Sequence, residues 1–254
     1  MRDYVYRPVV RVAQAAVHLA GIRLDIDGLE NLPATGGVVL AVNHVSFLDF
    51  VFVGLAYHRR GRRLVRFLAK RSVFDHRLVG PLMRSMGHIP VDRAAGADAY
   101  RAAVDALRAG EVVAVFPEAT ISRSFVPRPL ASGAARMAAE AGVPLVPVVT
   151  WGGQRLWTAG RRPRFARRVP VSVRVDPPII AGTREDPAAV TGRLAVRLAS
   201  MVDSVIARYP DRGAGQGAWW LPAVAGGTAP TPEEAAGAEL RAIAGRSGRV
   251  RPAA

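Results

Sequence analysis

Four polar residues interrupt an otherwise apolar run at AVNHVSFLDF, residues 41–50: Asn43, His44, Ser46 and Asp49. A histidine beside a carboxylate makes a general base. The carboxylate holds one ring nitrogen and fixes the tautomer, and the other nitrogen is left to take a proton. On a continuous helix the five-residue spacing would leave the two side chains about 140° apart. They meet if His44 lies in a turn after a strand and Asp49 in the first turn of the next helix, where the helix dipole also favours a carboxylate. The same two residues also suit a strand-end histidine and a helix-capping aspartate with no chemistry at all.

Two further stretches carry reactive or ligand-binding types. FPEATISRS, residues 116–124, follows the apolar run VVAV and offers backbone amides, hydroxyls and the Glu118 carboxylate at a strand's C-terminal end, where α/β sheets hold ligands. A plain strand-to-helix connection would look similar. GHIPVDR, residues 87–93, ends in Arg93, whose planar fork suits a phosphate, although a surface arginine reads the same way.

The elements that must position these residues alternate regularly. Strand patterns stand at 22–28, 36–42, 64–69, 88–93, 112–116, 144–151 and 169–175. Helical patterns stand at 48–60, 76–87, 98–110, 132–142 and 187–208, with Gly110 and Gly142 as C-caps. Strands alternating with helices predict an α/β domain, a largely parallel sheet flanked by helices. Residues 1–21 precede it, residues 22–210 form it, and residues 211–254 read as a Gly/Ala/Pro-rich tail, disordered or loosely docked, whose only helical hint is PEEAAGAELRAIAG.

In this order the blocks NHVSFLD, GHIPVDR, FPEATIS and VPLVPVV resemble the four consecutive motifs of the glycerolipid acyltransferase family, which includes the lysophosphatidic acid acyltransferases. The resemblance spans roughly residues 25–180 and implies that family's fold, with a largely parallel mixed sheet. It implies that His44 takes the proton from an acceptor hydroxyl that attacks an acyl thioester, and that Asp49 orients His44. Arg93, Glu118, Thr120 and Ser122 would hold the acceptor's glycerol phosphate, and Pro144 and Pro147 would shape a pocket wall. The expected reaction moves a fatty acyl group from acyl-CoA or acyl carrier protein to 1-acyl-sn-glycerol 3-phosphate, giving phosphatidic acid. No metal and no cofactor are implied, the acyl donor being a co-substrate. No Gly-x-Ser-x-Gly elbow is present, in keeping with a mechanism without an acyl-enzyme.

The chain departs from the family where the third block is commonly Phe-Pro-Glu-Gly-Thr-Arg-Ser. Ala119 replaces the glycine and tolerates a positive φ less well, and Ile121 replaces the arginine and removes a phosphate ligand. Ala131 stands where a basic residue often precedes the next helix. These losses bear on the acceptor's identity more than on acyl transfer, so another lysophospholipid, a glycolipid or an amino-acid-derived lipid stays open as acceptor.

Composition frames the rest. The 254 residues contain no cysteine, which excludes disulfides, thiolate metal sites and a cysteine nucleophile. The formal net charge is +15, and Lys70 is the only lysine. Such a basic surface attracts polyanions, either nucleic acid or anionic lipid. The arginines are not interleaved with aromatic residues, only 7% of the chain, which argues against nucleic acid. No secretory signal or membrane-spanning run is expected. Residues 4–21 place Arg7, Arg11, Gln14 and His18 in one polar stripe on a largely apolar helix, a pattern suited to a membrane interface or to this protein's own core. With arginine clusters at 59–66 and 161–168, the expectation is a monotopic or peripheral protein on the cytoplasmic face of the cell membrane, against an anionic membrane surface.

Overall fold

The computed structural model describes residues 3–92, 96–182, 185–210 and 217–247. In chain order the elements are helix α1 (Asp3–Leu19), strands β1 (Arg23–Asp27) and β2 (Val38–Val42), helix α2 (Asp49–Gly61), and strand β3 (Val65–Lys70). There follow the short helices α3 (Arg71–Phe74) and α4 (Val79–Ser85), strand β4 (Ile89–Val91), helix α5 (Gly96–Arg108), strand β5 (Val112–Val115) and helix α6 (Gly133–Ala141). Strands β6 (Leu145–Trp151) and β7 (Pro170–Val175), then helices α7 (Pro187–Arg208) and α8 (Pro232–Ser247), complete the fold.

The seven strands form one sheet in the order β1-β7-β6-β2-β5-β3-β4. Every neighbouring pair is parallel except β6 with β7. A parallel sheet carries helices on both faces, so its central strands are buried on both sides and read as unbroken apolar runs rather than alternating ones. In β2, Val39 and Ala41 face one core layer, with α5, α6 and α7. Val38, Leu40 and Val42 face the other, with α2. This two-sided burial puts β2 at the centre, and the turn after it opens at the C-terminal edge of the sheet.

Helix α1 is packed on one side and open on another. Tyr6 and Val10 are buried against Leu55 and Met86, and the Tyr6 hydroxyl donates to the Val65 carbonyl at 2.6 Å. Tyr4, Val12 and Leu19 remain exposed. An almost wholly apolar helix with one polar stripe has enough greasy surface for both. Among the described residues, no helix is long and apolar enough to cross a membrane.

Three boundaries differ from the sequence pattern. The strand expected at 88–93 is only Ile89–Val91, and Arg93 lies outside the described residues. The helix expected at 76–87 is shorter, α4 at Val79–Ser85, and the short α3 at Arg71–Phe74 precedes it where no helix was expected. The expected loose tail is corrected over 217–247. Trp220, Leu221 and Ala229 are buried in the core layer with α7, and Trp220 packs against Tyr209 with ring centres 5.4 Å apart. The Gly/Ala/Pro composition suggested too little apolar material to fold, but two adjacent tryptophans supply enough to anchor the segment.

Candidate active site

Residues 43–48 turn the chain from β2 into α2, and Asp49 is the first helical residue. Its carboxylate is fully buried. Oδ2 lies 3.0 Å from His44 Nδ1 and accepts the backbone N–H groups of Val45 at 2.9 Å and Ser46 at 2.8 Å. Oδ1 accepts the Thr150 hydroxyl at 2.7 Å. Four donors therefore satisfy one buried carboxylate, as burial requires. Because a carboxylate can only accept, Nδ1 carries the imidazole proton and Nε2 has a free lone pair. The His44 side chain keeps 19% of its surface accessible, so this pair is not sealed.

The turn is held from two directions. Asn43 spans to β6, its amide nitrogen donating to the Thr150 carbonyl at 3.1 Å and its oxygen accepting the Thr150 N–H at 2.8 Å. Ser46 donates to the Trp157 carbonyl at 2.7 Å, and Thr158 donates to the Val45 carbonyl at 2.7 Å.

From the other side comes the loop after β5. The Phe116 ring stacks on the His44 imidazole, centres 4.0 Å apart. Glu118 Oε1 accepts the His44 N–H at 2.9 Å, while the Ser122 N–H donates to the His44 carbonyl at 2.8 Å. The loop thus grips both backbone groups of His44. The second Glu118 oxygen accepts the Arg128 N–H at 3.0 Å. Burial pushes the Glu118 carboxyl up to about 7, against the two N–H donations that favour its charged form.

The structure brings Asp49, Glu118 and Ser122 together around His44, each bonded to it, and spends their remaining polar atoms on neighbouring residues. Ser122 is buried, and its hydroxyl donates to the Val126 carbonyl at 2.7 Å. Thr120 stands half-buried in the same loop. Ala119 adopts φ 59°, the left-handed conformation a glycine would take freely, so the loop keeps its turn at a cost of about 1 kcal/mol. Ile121 is buried. Pro147 sits within β6 opposite Ala41, inside the sheet. Thr150 is the partner of Asp49 that sequence reading passes over; its one signal is a hydroxyl in the otherwise apolar run VPLVPVVTW.

The arginine clusters are partly internal. Arg63 donates to the carbonyls of Pro33, Gly36 and Gly110, and Arg66 pairs with Glu111. Arg161 lies 4.0 Å over the Trp219 ring. Arg128 pairs with Glu239 of α8 at 2.7 Å, which ties the C-terminal segment to the loop carrying Glu118. Among the described residues no group of three or more His, Asp or Glu side chains could hold a metal ion.

Comparison with known proteins covers the stretch that carries this geometry. The family model described as Acyltransferase matches residues 23–151, which contain the whole of the turn, the loop and Thr150. The 1-acyl-sn-glycerol-3-phosphate acyltransferase of Bacillus subtilis is 31% identical over 139 residues, 52% of this chain and 66% of that protein. The chloroplast enzyme of the same description from Brassica napus is 32% identical over 145 residues, 54% of this chain and 40% of that protein. An uncharacterised Mycobacterium leprae protein is 40% identical over 100 residues, 38% of this chain and 25% of its own length. The crystal structure of the 1-acyl-sn-glycerophosphate acyltransferase of Thermotoga maritima shares the fold, with a TM-score of 0.67 over 82% of each chain at 22% identity. The matched segment makes up half of the chain, and on that ground the chain belongs to the acyltransferase family.

Proposed function

We propose that this protein is an O-acyltransferase that moves a fatty acyl group from acyl-CoA or acyl carrier protein to the free hydroxyl of 1-acyl-sn-glycerol 3-phosphate, giving phosphatidic acid. The observation that carries the proposal is the His44–Asp49 pair, one nitrogen held by a buried carboxylate and the ring still open to solvent. Nε2 takes the proton of the acceptor hydroxyl as its oxygen attacks the thioester carbonyl. A C–O bond forms, the C–S bond breaks, and the proton passes from His44 to the departing thiolate. Asp49 keeps the tautomer and stabilises the imidazolium formed between those steps. The relatives described as 1-acyl-sn-glycerol-3-phosphate acyltransferases support this acceptor.

A second acceptor reading has one observation in its favour. Buried Ile121 stands where the family commonly offers an arginine, so this loop brings one cation fewer to an acceptor phosphate. Another lysophospholipid, a glycolipid or an amino-acid-derived lipid then becomes the acceptor, with unchanged chemistry. In either case the lipid substrate calls for an anionic membrane surface, which the exposed face of α1 and the basic surface suit as a peripheral attachment at the cytoplasmic leaflet.

The test is thiol release from acyl-CoA in mild detergent, offering lysophosphatidic acid beside lysophosphatidylcholine and lysophosphatidylglycerol. Release that needs lysophosphatidic acid and falls by about 10²–10⁴-fold in His44→Ala is the expected result. Release of equal size in His44→Ala would remove the proposed base. Release with another acceptor alone would move the function to the second reading.

A further inference from the structure

The polar stripe of α1 faces the C-terminal end of α2 across a surface groove. Arg7, Arg11 and Gln14 from α1 line one cavity of about 410 Å³ together with His58, Arg59 and Arg62. Among the described residues, no carboxylate lines it. The C-terminal carbonyls of α2 offset only about half a charge, less than the guanidinium charge that Arg11, Arg59 and Arg62 bring to the cavity. His58 Nδ1 is buried there without a hydrogen-bond partner among the described residues. Burial, with Arg62 and Arg7 adding to it, lowers the His58 pKa from its ordinary value and favours the neutral ring.

A second cavity of about 310 Å³ adjoins the first, sharing Gln14 and Arg59. Its remaining walls are largely apolar, from Val17, Ile22, Leu24 and Leu55. Beyond the groove, Tyr4, Val12 and Leu19 of α1 are exposed. A cluster of cations, an apolar cavity beside it and a greasy helix face next to both match the parts of a phospholipid. A merely solvated arginine face would need neither cavity. The groove is about 14 Å along α2 from the His44 turn, so it is a separate place.

We infer that the groove between α1 and α2 is a second lipid site, holding the phosphate headgroup of an anionic phospholipid at Arg11, Arg59 and Arg62, with its apolar part against Val17, Ile22, Leu24 and Leu55. The inference rests on the membrane-surface part of the proposed function and not on acyl transfer. Bound there, the lipid would seat α1 at the depth where headgroups and acyl chains meet.

The experiment compares the parent chain with two variants of equal charge, Arg59→Gln/Arg62→Gln in the groove and Arg136→Gln/Arg208→Gln outside it. Flotation uses phosphatidylcholine vesicles with and without a minor fraction of phosphatidic acid. The groove pair should bind the anionic vesicles about thirtyfold more weakly than the parent chain, and the outside pair within about threefold of it. Equal losses would overturn the site in favour of bulk charge. A second readout follows the His58 imidazole resonance by NMR while short-chain soluble phosphatidic acid, short-chain phosphatidylcholine or inorganic phosphate is added. Movement with phosphatidic acid alone is expected, and an unmoved resonance overturns the site. Equal movement with inorganic phosphate overturns the lipid as occupant and leaves a free-anion site. Wild-type chain that does not float at all would sink the membrane reading, while the NMR arms would still decide the groove, and neither readout depends on catalysis.

Discussion

His44 and His88 stand in neighbouring motifs of the same sheet and sit in opposite surroundings. His44 has a carboxylate on Nδ1, partial access to solvent and the Phe116 ring as a floor. His88 is buried, its Nδ1 accepts the Phe67 N–H at 3.1 Å, and Tyr6 and Phe67 pack edge-on against it. Burial lowers its pKa to about 4, so it is a neutral core residue at any ordinary pH. Residue type is common to both. What separates the proposed base from a core histidine here is the partner of Nδ1, a carboxylate in one case and a backbone amide in the other, together with a ring partly open to solvent.

The strongest way to break this contrast is to remove the partner. Asp49→Asn can present its amide rather than an acceptor to Nδ1 and leaves the tautomer free, so kcat should fall by about 10²–10⁴-fold with KM changed little. Steady-state kinetics on folded protein, checked by circular dichroism, would measure it. A loss below tenfold would mean that Asp49 merely caps α2.

A second set of measurements sharpens the contrast through pH. His88 has a lowered folded-state pKa, so between about pH 4 and 6.5 the unfolded chain takes up a proton that the folded chain refuses, and stability rises with pH. Glu118 has a raised one, about 7, so between its ordinary value of 4.5 and 7 the unfolded chain releases a proton that the folded chain keeps, and stability falls with pH. Each contribution amounts to about 3 kcal/mol, and the two oppose one another across most of the same window. Urea unfolding of the parent chain should therefore be nearly flat in these contributions. Glu118→Gln should expose the rising slope and His88→Phe the falling one. Parallel pH profiles for all three proteins would refute the assignment.

The smallest effect expected is at Thr150. Thr150→Val removes one of the four donors to Asp49 while keeping the side chain's shape. Stability should drop by about 1–2 kcal/mol and kcat by about tenfold, read by urea midpoint and initial rates. An unchanged kcat would assign Thr150 to folding alone.

Much of this was legible in the residues themselves. A turn after an apolar strand, with an aspartate opening the next helix, is the condition under which a His-x4-Asp spacing closes, and Asp49 does open α2. The alternation of elements was equally plain, because a doubly covered sheet writes its strands as apolar runs. Contacts made across the sheet were not. Thr150 reaches Asp49 from 101 residues away because β6 lies beside β2, and strand order has no local signature. Glu118 was expected to face an acceptor phosphate, yet both its oxygens take backbone N–H groups, and its role in holding a substrate remains a proposal beside that bracing one. Composition misjudged residues 217–247, since an average over many small residues conceals what Trp219 and Trp220 do.

The strand order also has a consequence for how the chain is born. Strand β1 has its ladder partner in β7, and the pairing joins Arg23 to Pro170. At a synthesis speed of about 5–20 residues per second, β1 waits about 7–30 s before its neighbour leaves the ribosome. Through that interval Leu24 and Ile26 have no sheet to join, while α1, already complete, presents its greasy side to whatever surface lies nearest. Helix α1 is thus made well before most of the strands it will lie beside.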